Sequence, residues 1–152
     1  MNKEVVKDRL LSAYATLIDK DGALLELDAN ERSITHKLAE HLQVEFPEWD
    51  VDCEYNRDGE KPKRLSPQSV SSDDTDAHTV FPDIVVHQRN SETNLVVIEA
   101  KKRSSAKKFS DEEKLKSLKK EYEYQFAYLV VFPVGHVETN PDLSEYIFEV
   151  EA

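Results

Sequence analysis

Asp83, Glu99 and Lys101 are the residues whose types and spacing best support chemistry. They lie in two apolar runs, FPDIVVHQR over 81–89 and LVVIEAKK over 95–102. A carboxylate inside an apolar strand is costly unless it is paired or holds a cation. Glu99 and Lys101 are two residues apart, so both side chains leave one face of a strand. Two converging carboxylates can hold a hard divalent ion. Such an ion neutralises charge on a phosphate and lowers the pKa of a bound water. A lysine beside it can steady the nucleophile and the developing negative charge. The competing reading is purely structural: a cross-strand ion pair of Lys101 with Asp83, with Glu99 as a further partner.

The elements around these residues decide whether they meet. Residues 90–94, NSETN, are hairpin-loop material, so the two runs read as adjacent antiparallel strands. With the turn centred on Glu92, Asp83 falls opposite Lys101 and Val85 opposite Glu99. Asp83 and Glu99 are then diagonal neighbours on one face, roughly 7–8 Å apart at Cα. A slip of one residue would send Asp83 to the other face. Both runs are apolar at consecutive positions, the pattern of a sheet covered on both sides.

Upstream, Val6, Leu10, Tyr14 and Leu17 mark an amphipathic first helix over 4–19, which Asp21-Gly22 is expected to end. Leu24 to Leu27 reads as a short apolar link. A second helix is expected from about Asp28 to Glu45, with Ile34, Leu38, Leu42 and Phe46 inward. Asp28 and Glu31 have capping-box spacing, and Glu31 also shares the inward face of Ile34 and Leu38. Val51 to Asn56 reads as a strand and 57–80 as a long polar loop, a length that is usually functional or mobile. Downstream come a helix over about 111–124, with Leu115, Leu118 and Tyr122 inward, a buried strand over Phe126 to Phe132, and a short strand within Tyr146 to Val150. The expected order is α-α-β-β-β-α-β-(β), an α/β domain with a central mixed sheet of four to five strands flanked by helices.

Pro82-Asp83, followed by Glu99-Ala100-Lys101 at the end of the next strand, resembles the signature of the PD-(D/E)XK, restriction-endonuclease-like nuclease superfamily. The resemblance covers about residues 28–133 of a single domain spanning 1–152, and its element order is similar as well. It implies a restriction-endonuclease-like core and hydrolysis of phosphodiester bonds, in DNA more than RNA. It implies that Asp83, Glu99 and the main-chain carbonyl of Ala100 hold Mg2+ or Mn2+, with Lys101 orienting or activating the attacking water. Glu31 matches the position of a further metal-site glutamate on the first core helix. Gln125 stands before the third buried strand, where some members use a glutamine, yet Leu129 occupies the place of the tyrosine that accompanies it in some subfamilies. The resemblance also raises a homodimer, or a partner protein that supplies specificity.

Charge bears on the partner. The chain carries 31 Asp/Glu and 20 Lys/Arg, a net charge of −11, which taken alone disfavours a nucleic-acid ligand. The distribution is uneven. Residues 101–120 hold nine Lys/Arg against three Asp/Glu, a net +6, leaving −17 elsewhere. Lys102, Arg103, Lys107 and Lys108, with Lys61, Lys63 and Arg64 of the polar loop, are therefore the candidate phosphate contacts. A solvated helix face explains the same lysines equally well. A binding or regulatory module that lacks catalysis, or an acidic domain that mimics nucleic acid, also fits the composition. The single cysteine, Cys53, excludes an internal disulfide and favours a reducing, cytoplasmic setting. Residues 1–11 carry five charged side chains and are not expected to form a leader. The longest apolar run, Phe126 to Val134, is too short to span a bilayer.

Overall fold

The computed structural model describes residues 1–55, 57–58, 61–62, 81–103, 108–137 and 141–151. Helices α1 (Lys3–Glu26) and α2 (Glu31–Glu45) lead into strand β1 (Asp50–Cys53). A short hairpin, β2 (Arg57–Asp58) with β3 (Lys61–Pro62), stands where the sequence suggested only loop. Strands β4 (Ile84–His87) and β5 (Asn94–Lys102), helix α3 (Lys108–Glu121) and strand β6 (Phe126–Phe132) follow. A 3-10 turn (Leu143–Glu145) and strand β7 (Ile147–Glu149) close the chain. The protein is thus α/β with a five-stranded mixed sheet, in the order β1-β4-β5-β6-β7. β5 and β6 run parallel, joined through α3; the β1–β4, β4–β5 and β6–β7 pairs are antiparallel.

Both faces of the sheet are covered, as the unbroken apolar runs required. On one side α1 and α2 bury Leu10, Tyr14, Leu17, Ile34, Leu38 and Leu42 against Ile84, Val86, Ile98, Ala100, Tyr128 and Val130. On the other, Leu115 and Leu118 of α3 pack on Val85, Val97, Ala127 and Leu129.

Three local expectations need correction, and each has a physical cause. Asp21-Gly22 bends α1 without ending it. Asp21 leaves helical geometry (φ −117°, ψ 21°), but Leu25 beyond it is fully buried and Asp21 Oδ2 lies 2.6 Å from His41 Nε2 on α2, so the helix resumes to Glu26. Leu24 and Leu25 are consequently helical rather than a link. The second helix begins at Glu31, because Asp28 is used in closing the first. Asp28 adopts a left-handed φ of 53°, its N–H donates to the Leu25 carbonyl, and Ala29 N–H donates to Leu24. Asn30 is the N-cap instead, its side-chain oxygen accepting from Ser33 N at 2.8 Å.

The third correction concerns the β4–β5 register. Ile84 pairs with Ile98, Val85 with Val97 and Val86 with Val96, while a bulge sets His87 against Asn94. The loop therefore turns earlier than a centre at Glu92, and Gln88 N–H closes it on the Thr93 carbonyl at 3.0 Å. Continued by one residue, this register sets Asp83 level with Glu99 rather than Lys101. The shift is an even number of residues, so both carboxylates stay on one face.

Candidate functional site

The site forms where β5 outruns β4. Strand β4 begins at Ile84, whereas β5 continues to Lys102 and leaves the N–H groups of Ala100 and Lys102 without strand partners on that edge. Side-chain carboxylates replace the missing strand. Asp83 Oδ2 accepts from Ala100 N at 2.8 Å, and Glu31 Oε2 accepts from Lys102 N at 3.1 Å. A strand residue directs its N–H and its carbonyl toward the same neighbour. The Ala100 carbonyl therefore faces this edge too, between the two carboxylates. Asp83 is placed from the other side by its own carbonyl, which accepts from Glu54 N at 3.1 Å.

Glu99 and Lys101 project from the opposite side of β5 to Ile98 and Ala100, under α3. Both are buried, at 3% and 6% exposure. Asp83 and Glu99 are close enough for the Asp83 carboxyl to act on the Glu99 carboxyl. Burial pushes the Glu99 carboxyl well above the ordinary glutamate range, and neighbouring Asp83 pushes it further; the Lys114 ammonium, in contact with Glu99 Oε1, acts in the opposite direction. Lys114 Nζ also donates to the Phe81 carbonyl at 3.3 Å. Lys101 Nζ lies 3.1 Å from Asp111 Oδ2 on α3. Among the described residues, Glu99 Oε1 and Lys101 Nζ lack aligned hydrogen-bond partners, so these two pairs are contacts of charge.

An open cleft of about 880 Å³ adjoins the edge, between the first turns of α2 and the end of β1. Glu31, Arg32, His36, Cys53, Glu54 and Asp83 are among its lining residues. Arg32 Nη2 bridges to Glu54 Oε1 at 3.0 Å. The Cys53 thiol is pushed up by burial first and then by Glu54, Asp52 and Asp83, so it is a poor nucleophile here.

The donor set suits a hard divalent cation. Among the described residues no three Asp, Glu, His or Cys side chains group closely enough to hold a metal by themselves. Asp83 and Glu99 with the Ala100 carbonyl nevertheless supply oxygens alone, and Mg2+ typically takes one or two carboxylates and keeps several waters. Two carboxyls forced together, one of them buried, form an arrangement that a cation would relieve.

The remaining sequence candidates disperse. Lys102 Nζ pairs with Asp28 Oδ1 at 3.0 Å on the α1/α2 side. Arg103 Nη2 donates to Tyr146 Oη at 2.6 Å, and its guanidinium stacks over that ring. Both are engaged within the chain and lie across the sheet from Lys101. Gln125 is exposed and sits at the far end of the sheet, its N–H on the Asn94 carbonyl. Since Leu129 is level with Glu99, Gln125 lies four residues, or roughly 13 Å, back along the strands, which removes it from the site. Lys61 stands in β3 and Lys108 opens α3; Lys63, Arg64 and Lys107 lie outside the described residues. Asp111 and Lys114 were not anticipated. They share the inward stripe of Leu115 and Leu118 at helical spacing, a signal present in the sequence but obscured by the surrounding charges.

A second polar cluster lies along the β1 edge and is structural. His87 is 2% exposed, and its Nε2 lies 2.8 Å from Asp52 Oδ2. Arg89 grips Asp52 with Nε at 2.9 Å and Nη2 at 2.6 Å.

Comparison with protein-family models, with curated proteins and with solved structures finds no match to this chain. Among the described residues no helix is long and apolar enough to cross a membrane.

Proposed function

We propose that this chain is a metal-dependent nuclease of the PD-(D/E)XK, restriction-endonuclease-like class, hydrolysing phosphodiester bonds in DNA in preference to RNA. The observation that carries the reading is the placement of Asp83. Its carboxylate sits on Ala100 N–H, level with Glu99 in the β4–β5 register and on the same face, with Lys101 two residues on along the face of β5 that bears Glu99. Asp83, Glu99 and the Ala100 carbonyl would hold Mg2+ or Mn2+, and Glu31, on the next N–H of the same strand edge, would add negative charge beside them. The ion supplies charge neutralisation and an acidified water. Asp83 and Glu99 orient it, α3 and the sheet exclude bulk solvent from one side, and Lys101 offers an ammonium to the water or to the developing charge.

The cleft lining sets a condition on substrate binding. Among the lining side chains Glu31, Glu54 and Asp83 outweigh Arg32 and Lys37 by one charge. A bound divalent ion would reverse that sign and so favour polyanion binding in the cleft.

A catalytically silent binding module on the same scaffold is the second reading. The Lys101–Asp111 and Glu99–Lys114 pairs favour it, because they satisfy both charges without a ligand. Incubation with supercoiled, duplex and single-stranded DNA and with RNA separates the two. The nuclease reading expects nicking or degradation of DNA with Mn2+ or Mg2+, none in EDTA and none by Glu99→Gln. Metal-dependent binding without cleavage on any substrate would establish the silent module instead.

A further inference from the structure

Lys114 has a feature that a permanent structural ion pair does not need. Its side chain is 30% exposed, while that of its partner Glu99 is 4% exposed. The cation has a route to solvent and the anion has none. Lys114 projects from the first half of α3 onto Glu99 Oε1, the buried carboxylate neighbouring Asp83, and among the described residues it also makes a long bond to the Phe81 carbonyl. Lys114 sits on one oxygen of the carboxylate that a divalent cation would also use, and like charges at that distance repel, so the two compete for Glu99. The doubly charged ion gains more from two carboxylates, and the lysine stem is long enough to swing outward.

Resting on the metal-dependent reading of the site, we propose that Lys114 is a resident counter-ion which holds Glu99 in the metal-free protein and must be displaced for a divalent cation to bind. Lys114 is a positioning residue in this scheme. It keeps the carboxylate pair together before metal arrives and sets the affinity at which metal enters. Asp111, one turn earlier on the same stripe, retains Lys101 throughout, so α3 releases one cation and keeps the other.

The test is calorimetric titration of the full-length protein with Mn2+ alone, alongside thermal melts with and without Mn2+. Lys114→Gln removes the competing charge and is expected to tighten Mn2+ binding about tenfold, the scale of one partly buried charge contact. Its metal-free melting point should fall, and saturating Mn2+ should restore it. Lys114→Arg keeps the charge and should bind Mn2+ like the parent. If Lys114→Gln folds poorly, Lys114→Met keeps the apolar stem and carries the same expectation. Unchanged or weaker Mn2+ affinity in the neutral variants, with parental binding intact, overturns the displacement role and leaves the metal site standing. Binding seen only after the charge is removed is the extreme form of the expected result. Absence of Mn2+ binding in the parent and in every variant overturns the metal reading and this inference together.

Discussion

Glu31 and Asp83, from a helix and from the approach to a strand, accept hydrogen bonds from Lys102 and Ala100, whose N–H groups are two residues apart on one edge of β5. The two carboxylates complete the hydrogen bonding of a strand that has lost its neighbour. The same contacts set acidic oxygens on either side of the Ala100 carbonyl. Holding the sheet edge and shaping the site are thus one arrangement, and variants can separate the two roles.

Asp83→Asn retains an oxygen for Ala100 N–H but loses the charge. It should leave the melting point close to parental and eliminate Mn2+ binding. Asp83→Ala strands a buried N–H and should also lose about 1–3 kcal/mol of stability. Glu31→Gln keeps its bond to Lys102 and should weaken Mn2+ by less than about tenfold, as expected of an outer carboxylate. Urea unfolding and metal titration of the three proteins check this; parental Mn2+ binding by Asp83→Asn would remove Asp83 from the ligand set.

Lys101→Ala should abolish cleavage of supercoiled or single-stranded DNA, by about a hundredfold or more, while the fold survives. Asp111, left without its partner, is 31% exposed and can turn to water, so the stability cost is expected to stay near about 1 kcal/mol. Rates from a gel assay, with circular dichroism as the control for folding, decide the matter. Parental rates in a folded Lys101→Ala protein would remove the lysine from the chemistry.

The Asp52 cluster gives a pH dependence with a defined sign. Burial acts to raise the Asp52 carboxyl, but hydrogen bonds from Arg89 and His87 outweigh it and the net displacement is downward. A depressed folded-state value means that the ionised form stabilises the native protein. That contribution is complete above the unfolded-state value, about 3.9, and is lost as pH falls through the lower folded-state value. The stability gap between parent and Asp52→Asn should therefore be widest near neutrality and close below about pH 4. Urea midpoints across that range measure it; a gap that is constant with pH would contradict the assignment.

Local pattern made much of this protein legible. Unbroken apolar runs around 84–86 and 95–98 announced a sheet buried on both faces, and the four-residue steps in 34–46 announced α2. The two-residue step from Glu99 to Lys101 fixed their common face whatever the fold. Even the error of register left Asp83 on the right side, because face depends only on parity.

What the sequence by itself determined is therefore the three helices and the five strands of the main sheet, their order, and which side chains share a face. These follow from periods of 2 and 3.6 that every residue carries locally. Tertiary structure alone decided that a bulge sets Asp83 level with Glu99, that Asn30 caps α2 and so leaves the Glu31 side chain for Lys102, and that Asp111 and Lys114 cover the pair. Each depends on which of several competing partners wins a hydrogen bond or a charge. That choice is made between residues up to 71 positions apart, and no local period records it.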